Sequence, residues 1–486
     1  MLLDSLPDHA PLLIDAASSK TVTAGDVRER AALFGPYPRG LAALAVDQSL
    51  ESLWWFHALL EAGVPVALLD AANAPEVVER LLATYSPDFV VDPGGDLVER
   101  LSSGAVAKET ESPLRGAERI PGVWVADDFG APPHRDLAVL LTTSGSTGSP
   151  RFVRLSRRNV LSNAAQIVKS LGIADEDRGL ASLPLSYSFG MSVLTSHALV
   201  GSPVVLPRGT AVEESFWADV RDQGVTFIPG VPTTYVMFKR LGFTDRDLPA
   251  LRALIQAGGA LQVDLARYFH DVMAARGGEF FVMYGQTEAS PRISCLPSAL
   301  LPEKLGSAGV ALEEGTLTVR DPEGAELAPG EVGEVFYTGP NVMMGYAESR
   351  RDLTEGDTFG DELPTGDLGR LDDDGFLFIT GRSKRIAKLA GARVSLSEVE
   401  ALAASLAEGE AEVAAVSTED GVGLLITNLD DREVKRLQRS VARSLRVPSN
   451  LLRFEMADRI PLMSSGKPDY LAMADIFAGG RTRQGG

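Results

Sequence analysis

Cysteine and histidine are scarce in this chain of 486 residues. The single cysteine, Cys295, excludes an intramolecular disulfide framework and a cysteine-ligated zinc cluster. We expect its thiol to be buried and unreactive. The five histidines show no HExxH-like spacing, which excludes the usual zinc-protease signature. These histidines are His9, His57, His134, His197 and His270.

Long apolar runs are also missing. No stretch approaches the 18 uninterrupted apolar residues that a membrane-spanning helix needs. The chain opens MLLDSLPDHAP, with no basic segment ahead of an apolar one, so a secretory signal is not expected. From these features we predict a soluble, cytoplasmic protein with no membrane partner.

Positive charge is in the minority. The chain has 46 Lys and Arg against 66 Asp and Glu, a formal net charge of −20. So acidic a surface repels nucleic acid and anionic lipid, and no basic run compensates for it locally. A small anion such as ATP is a different case, because a few cations and backbone amides are enough to bind it.

What is present is ordinary globular composition, with 45% hydrophobic and 23% charged residues. Apolar strand-like runs, such as LAALAV at 41–46 and VPVALL at 64–69, alternate with helical patterns up to about residue 380. This alternation predicts an α/β fold with mostly parallel sheets covered by helices. The basic segment SKRIAKLAGARV then opens a smaller α+β region with two helices. We place residues 1–381 in a large domain, 382–385 in a hinge and 386–486 in a C-terminal domain.

The most informative segment is TSGSTGSPR at 143–151, which directly follows the apolar strand LAVLLTT. Two glycines let the backbone approach an anion closely, the hydroxyls and amides donate hydrogen bonds, and Arg151 adds a permanent charge. A helix with Ser156 as its N-cap follows. A flexible Ser/Gly linker is the alternative, but a linker rarely lies between a buried strand and a capped helix. The Walker pattern GxxxxGK[ST] is absent here.

This loop resembles the signature of the adenylate-forming superfamily, which includes acyl- and aryl-CoA synthetases, peptide-synthetase adenylation domains and beetle luciferases. Further segments resemble that family's motifs in the same order, over almost the whole chain. They are AGVPVALLD at 62–70, LPLSYSFG at 183–190, QAGGA at 256–260, MYGQTEAS at 283–290, PTGDLGRLDDDGFLFITGR at 364–382, KLAGARVSLSEVE at 388–400 and SSGKPDY at 464–470. The resemblance implies a small β-barrel-like subdomain in the large domain, and a mobile C-terminal domain.

The resemblance also implies an ATP site with Mg²⁺. Ser144, Ser146, Thr147 and Arg151 would wrap the β- and γ-phosphates, although the family usually has Lys where Arg151 stands. Tyr284 would stack on adenine, Thr287 would bind the α-phosphate, Glu288 and Thr147 would ligate Mg²⁺, and Asp367 and Arg382 would hold the ribose. The remaining nucleotide-binding residues implied are Thr143, Gly145, Gly148, Gly258, Gly259, Ala260, Gly285, Gln286 and Ile379.

Two implied functions concern the C-terminal region. Lys467 resembles the family's mobile lysine, which bridges the acid oxygen and the α-phosphate during adenylation. Lys384 stands at the family's hinge, about which the C-terminal domain rotates after adenylation. Rotation would withdraw Lys467 and present the segment at 388–394, with Gly391 and the predicted catalytic residue Arg393, to the site.

The predicted acid pocket mixes aromatic, apolar and hydroxyl side chains. Fatty- and aryl-CoA synthetases usually have His where Tyr187 stands, and no Asp lies near Ser188 to pair with an α-amine. An aryl or unsaturated carboxylic acid of modest size is therefore favoured over an α-amino acid. The pocket residues are Tyr187, Ser188, Phe189, Met191, Val231, Tyr235, Met283 and Ser290.

Three functions remain open from the sequence. The first is an ATP-dependent ligase that forms an acyl-AMP and then a thioester with coenzyme A or a separate carrier protein. The second activates an unusual acid such as nitrite and transfers it to an amine. The third is a nucleotide-binding protein without activity, which Glu288, Asp367, Arg382 and Lys467 argue against. Only 19 residues follow Lys467, so we expect no fused carrier domain.

Overall fold

The computed structural model describes residues 2–70, 75–95, 97, 117–142, 151–382, 386–389, 392–407, 411–418, 421–445, 447–463 and 468–479. The chain divides into two units, one formed by Met1–Thr316 with Tyr337–Leu363 and the other by Leu317–Phe336 with Pro364–Gly486. The predicted hinge at 382–385 falls inside the second unit of this division and stays a prediction.

Twenty-six strands are formed by the described residues. In chain order they are β1 (Pro11–Asp15), β2 (Thr21–Thr23), β3 (Ala42–Val46), β4 (Val66–Asp70), β5 (Phe89–Val91), β6 (Ala117–Ile120), β7 (Val123–Val125), β8 (Leu137–Thr142), β9 (Phe152–Ser156), β10 (Gly179–Leu180), β11 (Val204–Leu206), β12 (Phe227–Gly230), β13 (Ala253–Gln256), β14 (Glu279–Gly285), β15 (Arg292–Leu296), β16 (Val310–Ala311), β17 (Thr316–Arg320), β18 (Gly333–Thr338), β19 (Tyr346–Ala347), β20 (Glu362–Leu371), β21 (Leu377–Arg382), β22 (Ile386–Leu389), β23 (Ala392–Ser395), β24 (Val413–Thr418), β25 (Gly421–Ile426) and β26 (Leu452–Met456).

The α-helices of the described residues are α1 (Ala24–Ala32), α2 (Leu50–Ala62), α3 (Pro75–Tyr85), α4 (Arg157–Leu171), α5 (Ser188–Val200), α6 (Glu214–Asp222), α7 (Pro232–Arg240), α8 (Val263–Ala275), α9 (Leu396–Leu406), α10 (Asp431–Leu445) and α11 (Tyr470–Gly479).

Two large sheets organise the first unit. One has nine strands in the order β16-β15-β14-β13-β12-β10-β11-β1-β2, and the other has eight in the order β19-β9-β8-β4-β3-β5-β7-β6. Their central pairs are parallel, as the alternation of strands and helices predicts, and antiparallel strands lie at the edges. The predicted α/β class is thereby confirmed.

Strand β3 explains why the core forms on both faces of the eight-stranded sheet. Its five residues are all buried. Ala42, Leu44 and Val46 pack into a cluster with α1 and α2, whereas Ala43 and Ala45 pack on the opposite side with α3. Because side chains alternate along a strand, a continuous apolar run supplies both faces at once.

The glycine- and serine-rich segment at 143–150 lies outside the described residues, but the strands on either side of it are defined. β8 and β9 are antiparallel, with Thr142 opposite Phe152. The predicted cap of the following helix is confirmed, since the Ser156 hydroxyl accepts a hydrogen bond from the Asn159 amide. The sequence interpretation missed β9. The segment at 143–150 connects the two strands β8 and β9 and does not lead directly into α4.

Arg154 on β9 is an anchor between distant parts of the first unit. It is 1% exposed. Its Nη1 donates to the carbonyl oxygens of Asp352 at 2.9 Å and Glu355 at 2.8 Å. Its Nη2 donates to the carbonyl oxygen of Met344 at 2.8 Å and the hydroxyl of Thr358 at 2.9 Å. The cost of burying this guanidinium is thus offset by hydrogen bonds to one later segment, residues 344–358.

The second unit contains a four-stranded sheet, β17-β18-β20-β21, a β22-β23 hairpin and a three-stranded sheet, β24-β25-β26. Within the described residues the four strands form an open sheet, not the barrel-like subdomain that the resemblance implied. The three-stranded sheet packs on α9 and α10 on one face and on α11 on the other. The sequence interpretation expected two helices here and missed α11, which is short and rich in small residues.

None of the helices in the described part of the chain is both long enough and apolar enough to span a membrane.

Candidate functional site

Strand β14 ends in a sharp turn that brings two predicted site hydroxyls together. At Gly285 a Cβ atom would lie 1.8 Å from the carbonyl oxygen of Pro291, so only glycine fits this close approach. The chain then forms a short 3-10 turn, Thr287–Ala289. The Thr287 hydroxyl lies 3.1 Å from the Ser188 hydroxyl at the start of α5. The predicted α-phosphate ligand therefore borders the predicted acid pocket.

Glu288 is linked to Arg151 through Tyr346. The Tyr346 hydroxyl donates to Glu288 Oε1 at 2.9 Å. The guanidinium carbon of Arg151 lies 3.8 Å from the centre of the Tyr346 ring, a cation–π distance. Burial and the negative charge of Glu288 raise the pKa of Tyr346. Its hydroxyl therefore stays protonated at neutral pH and holds the carboxylate in place.

These three residues fit a metal-bound polyphosphate. Arg151 Nε is buried and has no hydrogen-bond partner within the described residues, which suits a phosphate oxygen as its acceptor. Glu288 supplies a carboxylate oxygen, the donor type that Mg²⁺ prefers. No group of three or more His, Cys, Asp or Glu side chains able to hold a metal occurs in the described ranges. A Mg²⁺ bound by Glu288 would thus need phosphate oxygens to complete its coordination.

Gly258, two positions after the end of β13, lies against Tyr187. Its φ is +86°, and a Cβ added there would lie 2.3 Å from the Tyr187 hydroxyl oxygen. Gln256 Nε2 donates to the carbonyl oxygen of Gly259 at 2.8 Å and fixes the turn. The predicted QAGGA segment and the predicted gating aromatic are therefore in direct contact.

We expect Gly258→Ala to lower kcat/KM for acid activation by about 10- to 100-fold, because the added methyl displaces Tyr187 and the positive φ is strained. Gly277→Ala is the matched control: its φ is +71° and a Cβ there meets nothing within 4 Å. It should cost only about 1 kcal/mol of stability. Steady-state kinetics and thermal unfolding measure both effects. Equal activity loss in the two variants, or no recovery in Gly258→Ala/Tyr187→Phe, would contradict the contact-based explanation.

Four of the predicted pocket residues share one apolar cluster of the nine-stranded sheet. Phe189, Val231 and Met283 are buried in it, and Tyr187 packs against it. The ring centres of Tyr187 and Phe189 are 6.2 Å apart in an edge-on arrangement. This is the part of the predicted pocket that the structure brings together.

Three other predicted pocket residues lie elsewhere. Met191 belongs to a different core cluster of the same unit. The Ser290 hydroxyl donates to the carbonyl oxygen of Asn341 at 2.8 Å. Tyr235 packs edge-on against Phe269, with ring centres 5.0 Å apart, and burial raises its pKa. The assignment of these three residues to the pocket stays a prediction.

Arg292 was missed by the sequence interpretation. It is 4% exposed, and its guanidinium carbon lies 3.8 Å from the centre of the Phe189 ring. The signal was an arginine at the start of the apolar segment RISCL, directly after the MYGQTEAS motif. It adds a cation to the apolar cluster of Tyr187 and Phe189.

The two predicted ribose ligands are paired in the second unit. Asp367 and Arg382 are opposite each other on β20 and β21, and Arg382 Nε donates to Asp367 Oδ1 at 2.8 Å. The Asp367 side chain is 4% exposed and that of Arg382 is 56% exposed. Ile379 lies on the same hairpin, opposite Gly369. The β20-β21 hairpin thus brings together two residues that are 15 positions apart in the chain.

Several predicted residues cannot be placed. Thr143, Ser144, Gly145, Ser146, Thr147, Gly148, Lys384 and Lys467 lie outside the described residues. Arg393 lies on β23, and only its backbone is described. Cys295 is buried, as predicted, and burial raises the pKa of its thiol to about 12. Its thiol is therefore uncharged and inert at neutral pH.

Proteins with similar sequences and structures include acid–CoA ligases. A family model described as AMP-binding enzyme matches residues 32–347. A 2-succinylbenzoate–CoA ligase from Bacillus licheniformis is 29% identical over 479 residues, covering 95% of this chain and 94% of that protein. A 4-coumarate–CoA ligase 5 from Oryza sativa subsp. japonica is 27% identical over 526 residues, covering 95% and 94%. The structure of o-succinylbenzoate CoA synthetase from Bacillus subtilis, in complex with its acyl-adenylate intermediate, is similar with a TM-score of 0.75, 25% identity and 96% coverage of both chains.

Proposed function

This chain belongs to the AMP-binding enzyme family, the adenylate-forming enzymes, and we propose that it activates a small aryl or unsaturated carboxylic acid with ATP. The acid attacks the α-phosphate, pyrophosphate leaves, and the acyl-AMP is then transferred to a thiol, with release of AMP. Relatives named as 2-succinylbenzoate– and 4-coumarate–CoA ligases support coenzyme A as the acceptor and an aryl or unsaturated acid as the substrate.

One observation carries the proposal: adjacent residues of a single turn face the two halves of the reaction. Thr287 contacts Ser188 beside the pocket of Tyr187 and Phe189, whereas Glu288 is joined through Tyr346 to Arg151. An acid bound beside Ser188 and a phosphate bound by Arg151 would therefore both border the same turn. Such positioning of two anions is the main task in this chemistry.

We assign the following actions to the chain's own residues. Arg151 donates to the β- and γ-phosphate oxygens and offsets their charge. Thr287 would donate to the α-phosphate, and Tyr346 holds the Glu288 carboxylate, which would supply an oxygen ligand to Mg²⁺. Mg²⁺, when bound with ATP, supplies charge neutralisation for the departing pyrophosphate. Lys467 would bridge the acid and the α-phosphate, as its motif suggests.

Rotation of the C-terminal domain about Lys384 remains part of the proposal. It would exchange Lys467 for the segment at 388–394, including Arg393, between adenylation and thioester formation. Location in the cytoplasm likewise remains a prediction from the sequence.

The test is ATP-dependent pyrophosphate release across aryl, unsaturated, alkyl and amino acids and nitrite, each with and without coenzyme A. We expect release with aryl or unsaturated acids, and a thioester detectable by mass spectrometry when coenzyme A is present. Release with nitrite alone, demanding an amine acceptor, would favour diazotisation instead. ATP binding without release for any acid would favour the inactive nucleotide-binding protein.

A further inference from the structure

Arg292 is a buried cation at the edge of the apolar cluster that contains Tyr187, Phe189 and Met283. Its backbone is fixed from two sides. The amide donates to Asn163 Oδ1 at 3.0 Å, and the carbonyl oxygen accepts from Asn163 Nδ2 at 2.8 Å and Asn341 Nδ2 at 2.9 Å. The side chain therefore starts from a rigid position and cannot easily move out to solvent.

No acidic side chain of the described residues forms an ion pair with this guanidinium. Its Nε is buried without a hydrogen-bond partner in the same part of the chain, but so are the Nε atoms of Arg154 and Arg350. What sets Arg292 apart is that its Nη atoms donate no hydrogen bond within the described residues, whereas those of Arg154 and Arg350 do. The contact with the Phe189 ring is a cation–π interaction, which recovers part of the cost of removing the charge from water. Burial lowers the pKa of Arg292 to about 10, still well above neutral pH, so the side chain keeps its charge.

The position of Arg292 points to the acid and not to ATP. On the nine-stranded sheet it pairs with Gly285, the last residue of β14, two positions before the turn that carries Thr287 and Glu288. Phe189, which it stacks on, follows Ser188 at the start of α5, and Tyr187 contributes electrostatically to its protonation. The cation is therefore on the pocket side of this turn, among the residues predicted to surround the acid.

Buried Arg154 and partly buried Arg350, both in the first unit, show what a purely structural arginine looks like here. Arg154 donates to four backbone carbonyl oxygens and a hydroxyl of a later segment, and Arg350 donates to Asp88 Oδ2 at 2.6 Å. Arg292 has neither arrangement. Burying a guanidinium costs free energy when no anion or set of carbonyl oxygens accepts its hydrogen bonds. A bound ligand with an anionic group would supply those acceptors.

We propose that Arg292 binds a second carboxylate of the acid, so that the preferred substrate is a dicarboxylic acid, one carboxylate being adenylated and the other held by the guanidinium. This inference rests on the proposed function and narrows its substrate class. A planar guanidinium matches a carboxylate with two parallel hydrogen bonds, and aromatic stacking on Phe189 holds that plane in place. The same site would reject a monocarboxylic acid of equal shape, because the buried charge would be left uncompensated.

The experiment compares pairs of acids in which one carboxylate is either present or replaced by hydrogen or a methyl group. Suitable pairs are terephthalate with benzoate, fumarate with crotonate, and 2-succinylbenzoate with 4-oxo-4-phenylbutanoate. Pyrophosphate release is measured for the full chain, for Arg292→Met, which removes the charge, and for Arg292→Lys, which keeps it. Arg246→Met is the matched control, since Arg246 also lies over an aromatic ring, that of Trp217, but its side chain is 24% exposed and forms an ion pair with Glu214.

We expect the unaltered protein to prefer at least one dicarboxylic acid over its partner by about 100-fold in kcat/KM. Arg292→Met should abolish this preference, chiefly by raising KM for the dicarboxylic acid. It should leave kcat/KM for the monocarboxylic acid unchanged or higher. Arg292→Lys should retain part of the preference, because a point charge remains but the two-bond geometry is lost. Arg246→Met should behave like the unaltered protein.

Two results would overturn the inference while leaving the proposed function intact: release that favours the monocarboxylic acid of every pair, or a preference that Arg292→Met does not change. Thermal unfolding with a non-hydrolysable ATP analogue and each acid gives a second readout, which does not need turnover. A dicarboxylic acid that stabilises the unaltered protein but not Arg292→Met supports the anion site even if no acid gives release. The absence of both release and stabilisation with every acid would overturn the inference and the proposed function together.

Discussion

Glu288→Gln is expected to lower kcat for pyrophosphate release by about 100- to 1,000-fold, because it removes the carboxylate charge from the proposed metal position. The amide oxygen can still accept from the Tyr346 hydroxyl, which lies 2.9 Å from Glu288 Oε1, so the local packing should be kept. The measurement is steady-state kinetics over a range of Mg²⁺ concentrations, with thermal unfolding to confirm that the variant is folded.

Tyr346→Phe is the matched control for that variant. It removes the hydroxyl that orients Glu288 but leaves the carboxylate charge and the ring beneath Arg151. We expect a loss of about tenfold, the lower end of the range for one hydrogen bond to a charged acceptor. If Tyr346→Phe were as damaging as Glu288→Gln, the orientation of the carboxylate and not its charge would dominate. If neither variant lost activity, Glu288 would have no metal role.

Lys467→Ala should separate the two half-reactions. We expect adenylation to fall by about 1,000-fold, because a cation that follows charge into the transition state is lost. Thioester formation from a synthetic acyl-adenylate and coenzyme A should change by less than about threefold, because the rotated domain would have withdrawn this lysine. Lys435→Ala, an exposed lysine of α10 in the same unit, is the control and should affect neither step.

The half-reactions are measured separately by pyrophosphate exchange and by thioester formation under single-turnover conditions. Equal losses in both steps would argue against an exchange of Lys467 between conformations. Retention of full adenylation activity would remove Lys467 from the catalytic residues altogether.

The sequence was most informative where local pattern and chemistry coincide. The apolar run at 41–46 predicted a strand of a helix-covered sheet, which the structure places at Ala42–Val46, and Ser156 predicted the start of α4. The TGD and TGR segments named Asp367 and Arg382, which the β20-β21 hairpin pairs directly. Ser156 and its capping partner, and likewise Asp367 and Arg382, are close in the chain. The burial of β3 depends only on its own apolar residues.

Contacts that depend on tertiary packing were not predictable in the same way. Nothing local distinguishes Tyr235, which joins an aromatic cluster, from Tyr187, which reaches Gly258. Both stand beside the start of a helix, and the difference lies in which side of the sheet that helix covers. Arg292 was overlooked because arginine in an apolar strand is unusual, and its neighbour Phe189 lies 103 positions earlier in the chain.

Arg154 also has a consequence for biosynthesis. The acceptors of its Nη2 lie 190 and 204 positions further along the chain, and β19, which pairs with β9, lies in the same later segment. During translation, the first half of the polypeptide therefore cannot complete its fold until residues near 358 have left the ribosome. Until then β9 lacks its partner strand β19, and Arg154 lacks its hydrogen-bond acceptors. The N-terminal half should consequently be a poor independent folding unit, and a nascent chain stalled before residue 344 should be sensitive to protease throughout its eight-stranded sheet.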